Sequence, residues 1–186
     1  MAGNAPRVKE TYIKREDWHL EGEEGMNWSG WKEALRPSLP DNTIPDGYRI
    51  RSSVNNEQQP GLICTKEVEN FLDQYRYQYK CGIYEWGAKS RNDLKGNMKV
   101  VYIGCSCSSK GRKLKGRIMD YCTSGSHKRQ DINYALQQGY TLYVRVKETV
   151  NTTQAAEAAE NELLQKYNYA WNRRIIKPAR SLPNLR

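Results

Sequence analysis

Two apolar runs, Cys81-Gly-Ile-Tyr-Glu-Trp86 and Lys99-Val-Val-Tyr-Ile103, stand on either side of a polar loop that contains Gly87 and Gly96. Both runs are rich in β-branched and aromatic residues, a composition typical of strands. We therefore predict two strands, at residues 81–86 and 99–103, and expect them to form an antiparallel pair.

Apolar periodicity predicts the remaining elements of this region. A third strand is expected over residues 140–147, where apolar and polar residues alternate. Thr65 is expected to cap the first helix, and Thr152 or Thr153 the last. The predicted helices span residues 65–79, 114–122, 131–138 and 155–167.

The remainder of the chain divides into a long N-terminal part and a short C-terminal one. Residues 1–60 are rich in Pro, Gly, Asn and Glu, which predicts an irregular arm. The rings of Trp18, Trp28 and Trp31 are costly to expose, so we expect them to anchor this arm on the body of the protein. We place a folded domain at residues 61–175 and a basic tail at residues 176–186.

Charge is distributed unevenly along the 186 residues. Residues 1–60 carry 8 basic and 10 acidic side chains, whereas residues 61–186 carry 22 and 11. A basic segment of this kind attracts polyanions by neutralising phosphates and releasing counterions, so nucleic acid is the expected partner. The alternative is a basic protein without a specific polyanion. No run of 18 apolar residues exists, so we expect no membrane span.

The five cysteines are an odd number, and the first residues lack the apolar segment of a secretory signal. A reducing, intracellular setting is therefore expected. Cys105 and Cys107 are close in sequence, but His19 and His127 are far apart, and no tetrahedral zinc spacing emerges. The simplest alternative for the cysteines is packing in the core.

On the helix predicted at residues 155–167, Glu160 falls in the middle of an apolar stripe, while Glu162 points the opposite way. A carboxylate in a packed face needs a compensating cation or hydrogen-bond donors. A divalent metal ion is one such cation. The alternative is a glutamate at the rim, paired with an arginine.

On the helix at residues 114–122, Arg117 and Tyr121 lie one turn apart and can reach a shared cleft. The pair is common on amphipathic helices, so its spacing alone does not establish a function.

Four motifs in this region, taken in order, resemble the GIY-YIG nuclease superfamily. Gly82-Ile83-Tyr84 and Tyr102-Ile103-Gly104 look like its defining pair. The segment from Leu114 to Tyr121 resembles its helix with an essential Arg followed four residues later by His or Tyr, and Glu160 precedes Asn172 by twelve residues, as in its closing segment. The resemblance implies an α+β fold with a small three-stranded antiparallel sheet flanked by helices, which agrees with the strand count above.

The resemblance also implies roles for these residues. Glu160 would hold one Mg²⁺ or Mn²⁺ ion, and Arg117 would clamp the scissile phosphate through its donor fork. Tyr84 would be the general base, provided that nearby positive charge lowers its pKa from about 10. Tyr102 would orient Tyr84 or the attacking water. The full set of predicted catalytic residues is Tyr84, Tyr102, Arg117, Tyr121, Glu160 and Asn172.

Two of these roles are the least defined by the residues themselves. Tyr121, standing where many members of the superfamily have His, would bind phosphate, and Asn172 would brace the site from the sheet edge. For Tyr84 and Tyr102 the alternative is that they are ordinary strand tyrosines, since the chain has thirteen.

Further basic residues and His127, within and beyond these motifs, are expected to bind DNA. His127 could replace the missing imidazole, but a surface position that contacts phosphate is the favoured interpretation. The predicted DNA-binding residues are Lys110, Arg112, Lys113, Lys115, His127, Lys128, Arg129, Arg173 and Arg174.

The expected function is that of a metal-dependent DNA endonuclease. One alternative is a DNA-binding transcriptional regulator on a weakly active or inactive nuclease scaffold, because the arm, with Lys14-Arg-Glu-Asp-Trp18, is similar to plant effector-of-transcription proteins. That similarity would imply a nuclear location. Another is an RNA-binding module that stacks bases on tyrosines. The oligomeric state, monomer or homodimer, stays open, since a single site nicks one strand and duplex cleavage needs two sites or two events.

Overall fold

A computed structural model of the chain describes residues 13–14, 27–90, 98–107, 113–123 and 126–172. The strands are β1 (Ile13–Lys14), β2 (Lys32–Arg36), β3 (Tyr48–Ile50), β4 (Leu62–Cys64), β5 (Gly82–Ser90), β6 (Lys99–Ser106), β7 (Tyr140–Glu148) and β8 (Tyr167–Asn168). The α-helices are α1 (Asn70–Gln74), α2 (Leu114–Cys122), α3 (Arg129–Gln137) and α4 (Thr153–Lys166). One antiparallel sheet has the order β3-β4-β2-β7-β5-β6, and β1 pairs in parallel with β8.

The three strands predicted from the sequence are confirmed as β5, β6 and β7. Strand β5 lies between the other two and pairs antiparallel with both. The predicted pair is therefore correct, although β5 runs on to Ser90 and β6 to Ser106.

The predicted strand count of three is wrong, because the described residues form six strands in the main sheet. The additional strands β2, β3 and β4 contain only three to five residues. Such short segments show no clear alternation, and their character is set by pairing with neighbours distant in sequence. Two of them, β2 and β3, lie in the segment expected to be irregular; the boundaries at residues 60 and 175 stay predictions.

Arg51 attaches this N-terminal segment to the helices of the domain. Its side chain is buried, and its guanidinium donates hydrogen bonds to the Cys122 carbonyl oxygen at 3.0 Å and to Asn133 Oδ1 at 2.8 Å. Burial lowers the pKa of Arg51 to about 10, so it keeps its charge at neutral pH.

A buried ion pair connects β5, β7 and Tyr169, which follows β8. Glu85 and Arg145 face each other on β5 and β7, and the Arg145 Nε atom lies 2.8 Å from Glu85 Oε2. The Tyr169 hydroxyl donates to Glu85 Oε1 at 2.6 Å. The Arg145 guanidinium also lies 4.4 Å from the ring centroid of Trp28 and 4.6 Å from that of Trp31. The prediction that these two tryptophans are anchors is confirmed; Trp18 lies outside the described residues.

The predicted helices at residues 114–122, 131–138 and 155–167 correspond to α2, α3 and α4. Of the two candidate caps for α4, Thr152 is the one that accepts a hydrogen bond, from the Ala155 N–H. Among the described residues no helix combines the length and apolar character needed to cross a membrane.

The single helix predicted at residues 65–79 is wrong. The segment consists of a π-helical turn at Thr65–Glu69, the short α1 and a 3-10 turn at Tyr77–Tyr79. Arg76 has a left-handed φ of 54°, which interrupts the helix. Thr65 does not cap it, since its hydroxyl donates to the Gly47 carbonyl oxygen at 2.8 Å.

The main sheet is covered on both faces. One face carries Tyr84, Trp86 and Tyr102 and packs against α1, α2 and α3. The other face carries Ile83 and Ile103 and packs against α4 and the tryptophan anchors. The neighbours Ile83 and Tyr84 on β5 thus belong to different clusters, as the pleat of a sheet requires.

Gly104 leaves room for a buried tyrosine ring. It pairs with Tyr84 across β5 and β6, and a Cβ atom at this position would lie 2.4 Å from the Tyr84 hydroxyl oxygen and 2.7 Å from its Cζ atom. Because Tyr84 is fully enclosed, its ring has little space in which to move away.

We expect Gly104→Ala to lower the free energy of unfolding by about 1–3 kcal/mol, the usual cost of overpacking. Urea denaturation measures this change. Gly116→Ala is the matched control: a Cβ there meets nothing within 4 Å, and alanine favours a helix by up to about 1 kcal/mol. Equal stability of Gly104→Ala and the parent chain would contradict the packing argument.

We expect Arg145→Ala to destabilise the fold by about 3–5 kcal/mol, because Glu85 would remain buried without its cation. Thermal and urea unfolding both report this loss. Lys80→Ala removes a solvent-exposed pair with Glu148 and should cost less than about 1 kcal/mol. Equal stability of Arg145→Ala and Lys80→Ala would show that the buried pair stabilises the fold no more than the exposed pair does.

Candidate active site

Three tyrosines and one histidine form a continuous hydrogen-bonded series, which we call the Tyr–His chain. The Tyr84 hydroxyl donates to the Tyr121 hydroxyl at 3.1 Å, and Tyr121 donates to the Tyr102 hydroxyl at 3.1 Å. Tyr102 lies 3.4 Å from His127 Nε2. Strands β5 and β6 supply Tyr84 and Tyr102, and α2 supplies Tyr121, so the first three motifs meet in one cluster.

Burial determines the protonation of the two strand tyrosines. It raises the pKa of Tyr84 well above its ordinary value of 10, and the neighbouring Tyr121 and Tyr102 oxygens raise it further; Arg117 lowers it by less. Burial, Tyr121 and Glu160 likewise raise the pKa of Tyr102. Both phenols are therefore neutral at physiological pH, and the positive charge expected to make Tyr84 a base does not outweigh burial.

Arg117 brings a positive charge to the Tyr–His chain. Its guanidinium carbon lies 5.7 Å from the centroid of the Tyr121 ring, within the range of a cation–π contact. Burial lowers the pKa of Arg117, but Tyr84 and Tyr121 raise it more, and the net shift is upward. Arg117 thus stays a cation beside Tyr84.

His127 forms the outer end of the chain. Burial lowers its pKa from 6.5, and the charges of Lys128 and Arg117 lower it further, whereas Asp131 raises it. The imidazole is therefore neutral at pH 7 and able to accept a proton. It lines a cavity of about 320 Å³ that also reaches Tyr102, Asn172 and three residues of α3 and its N-terminus: Lys128, Gln130 and Asp131.

Glu160 approaches the same cluster from α4, across the edge strand β6. Its side chain is half-buried, next to the thiol of Cys105. Burial and the Glu160 carboxylate raise the pKa of Cys105 to about 12. Because Glu160 also raises the pKa of Tyr102, its charge acts on the Tyr–His chain. Glu162 on the same helix is exposed and lies 3.4 Å from Lys166 Nζ.

Asn172 extends the edge of the sheet. Its Oδ1 atom accepts a hydrogen bond from the Ile103 N–H at 3.0 Å, and its Nδ2 atom donates to the Ile103 carbonyl oxygen at 2.9 Å. The Trp171 N–H donates to the Val101 carbonyl oxygen at 2.8 Å. Asn172 therefore holds β6 next to Tyr102; its part in catalysis stays a prediction.

The carboxylate oxygens of Glu160 suit a hard divalent cation. Among the described residues, no group of three or more His, Cys, Asp or Glu side chains is arranged to hold a metal ion. Mg²⁺ and Mn²⁺ do not need such a group, since one carboxylate together with water and substrate phosphate is a common set of ligands for Mg²⁺. Glu160 offers that carboxylate.

The predicted DNA-binding residues fall in different surroundings. Lys128 is buried, where its ammonium donates to the Trp171 carbonyl oxygen and lies 3.7 Å from Asp131. Lys115 pairs with Asp73, and Lys113 Nζ lies 3.2 Å from Cys81 Sγ. Arg129 begins α3 beside the His127 cavity. Four of the predicted residues lie outside the described part of the chain: Lys110, Arg112, Arg173 and Arg174.

A disulfide between Cys81 and Cys107 was not predicted from the sequence. It joins the start of β5 to the end of β6, and Cys64, Cys105 and Cys122 are free. Disulfides persist mainly in oxidising compartments, whereas the odd cysteine count favoured a reducing one. The disulfide favours an oxidising compartment and the odd cysteine count a reducing one, so the intracellular location stays a prediction.

The family of the chain is established by comparison with known proteins. A family model described as GIY-YIG domain-containing protein matches residues 68–182. This span is more than half of the chain and includes every motif residue from Gly82 to Asn172. No curated protein and no solved structure matches the chain. The GIY-YIG domain points to nuclease activity, and nucleases of this kind act on DNA and generally depend on a divalent metal. The chain belongs to the GIY-YIG domain family.

Proposed function

We propose that this protein is a metal-dependent endonuclease that hydrolyses phosphodiester bonds in DNA. The observation that carries the proposal is the Tyr–His chain with the Arg117 cation beside it, and the Glu160 carboxylate is near enough for its charge to raise the pKa of Tyr102. These groups come from β5, β6, α2, α4 and the turn before α3, which are distant in sequence. Phosphodiester hydrolysis needs a group that takes a proton from the attacking water, a positive charge that stabilises the phosphoryl oxygens, and a cation that neutralises the leaving oxygen. The Tyr–His chain, Arg117 and a metal ion on Glu160 would supply these three functions.

Glu160 would hold Mg²⁺ or Mn²⁺, a cation that polarises the phosphate and neutralises charge on the leaving 3′ oxygen when it is bound. Arg117 clamps the scissile phosphate through its planar donor fork and stabilises the charge that develops on the phosphoryl oxygens. Since the pKa of Arg117 is raised in this site, the clamp keeps its charge at neutral pH.

The Tyr–His chain carries the proton that the attacking water loses. Tyr84 is an enclosed, neutral phenol, so it positions Tyr121 through its hydrogen bond and does not meet the water itself. Tyr102 and His127 line the cavity, where Tyr102 accepts a proton from the water as it passes its own proton to His127 Nε2, in the tautomer that leaves this atom unprotonated. One proton leaves the water and one arrives at His127, while the resulting hydroxide attacks phosphorus. His127 then releases its proton through the adjacent cavity.

We expect Glu160→Ala to reduce cleavage of supercoiled plasmid and of branched DNA in Mg²⁺ or Mn²⁺ by at least roughly 10²-fold, the loss typical of removing one group that stabilises the transition state. Gel electrophoresis of the products measures it. Glu162→Ala, on the opposite side of α4, is the matched control and should cut like the parent chain. Cleavage by the parent chain in excess chelator would overturn the proposal. If no variant cut while all bound DNA equally, the regulator on an inactive nuclease scaffold would be favoured.

We expect the cleavage rate of the parent chain to fall as pH drops through the pKa of His127, which lies below 6.5, because imidazolium cannot accept a proton. His127→Ala should lower the rate by roughly 10²–10⁴-fold and abolish this acidic limb. Added imidazole should restore part of the activity. His19→Ala, which removes the other histidine, is the control. An unchanged pH profile in His127→Ala would show that the proton leaves by another route.

A further inference from the structure

A second cavity lies next to β7, the strand that pairs with β5 on the side away from β6. It has a volume of about 560 Å³ and is formed at the end of β7, where Val146, Lys147 and Glu148 meet residues 27–30. The Ser29 N–H donates to the Val146 carbonyl oxygen at 2.8 Å, and the Val146 N–H donates to Ser29 Oγ at 2.9 Å. These two hydrogen bonds hold the wall of the cavity to the sheet.

Three aromatic rings form another wall of this cavity. The centroids of Phe71 and Tyr75 are 5.5 Å apart, and those of Tyr75 and Tyr77 are 5.9 Å apart with an interplanar angle of 24°. Phe71 and Tyr77 are buried, but Tyr75 is 49% exposed. The inner rings therefore support Tyr75, which leaves part of its ring accessible to a planar ligand.

The charges around the cavity favour an anion. Lys32 and Lys147 line it, and the Lys32 ammonium lies 5.8 Å from the Phe71 ring centroid. Among the described residues, neither lysine has a salt bridge with an acidic side chain. The carboxylate in the wall, Glu148, is already paired with Lys80 at 2.7 Å. Two lysines thus remain available to a ligand that combines planar rings with negative charge.

We propose that this cavity binds an unpaired stretch of a nucleic acid strand, with one base stacked on Tyr75 and phosphates beside Lys32 and Lys147. Aromatic rings with neighbouring cations bind single strands in a way that tolerates any base. Bases in a duplex are already stacked on each other, so they cannot use the Tyr75 ring. This site rests on the proposed function, which makes DNA the polyanion. It indicates that the substrate is unpaired or branched DNA.

The test measures binding without cleavage. A fluorescent ten-nucleotide oligothymidylate is titrated with the full chain in chelator, and anisotropy gives the dissociation constant. We expect Tyr75→Ala to weaken binding at least fivefold, since one stacked base contributes about that factor or more. Tyr75→Phe keeps the ring and should bind like the parent chain. Tyr79→Ala, a more exposed tyrosine that does not line the cavity, should also leave binding unchanged.

The salt dependence tests the phosphate contacts. Lys32→Gln should reduce the slope of log affinity against log salt concentration by about 0.7, the value for one phosphate contact to a single strand. Equal binding by Tyr75→Ala and Tyr79→Ala, or an equal loss in Tyr75→Ala for a duplex of the same length, would overturn the site. So would equally tight binding of poly-glutamate. Because none of these measurements requires cleavage, failure of this site and failure of the nuclease proposal are distinguishable.

Discussion

The buried contact between Glu85 and Arg145 is the interaction on which the rest of the structure depends. It lies between two central strands, and a carboxylate and a guanidinium are tolerated there only when each compensates the other. The arginine also holds Trp28 and Trp31 of the N-terminal segment, while the glutamate accepts a hydrogen bond from Tyr169. One ion pair therefore positions Trp28, Trp31 and Tyr169 against the same sheet.

Residues 169–172 connect the ion pair to the candidate active site. Tyr169 is held by Glu85, and three residues later Asn172 pairs with the backbone of Ile103, next to Tyr102. Tyr84 and Glu85 are neighbours on β5 and point to opposite faces of the sheet. Glu85, which organises one face of the sheet, is therefore the sequence neighbour of Tyr84, which belongs to the Tyr–His chain on the other face.

Sequence periodicity was sufficient for the longer elements and insufficient for the short ones. Strands β5, β6 and β7 and helices α2, α3 and α4 each bury a regular series of side chains, so their patterns are visible locally. Strand β2 buries only Ala34 and Leu35, a pattern too short to be recognised. The left-handed Arg76, which ends the helical segment after α1, likewise has no signal in composition. Motif order pointed to six residues, Tyr84, Tyr102, Arg117, Tyr121, Glu160 and Asn172, but not to the contact between His127 and Tyr102.

The sequence by itself determined the family, the three long strands and the candidate residues for phosphate and metal binding, because residue types and their spacing are local properties. Only the tertiary structure decided how those side chains are protonated and connected. Burial makes Tyr84 a neutral phenol, although the family resemblance implied a general base at this position. Desolvation and hydrogen bonding depend on residues that are distant in the chain and close in space, and these become defined only when the sheet and helices have packed.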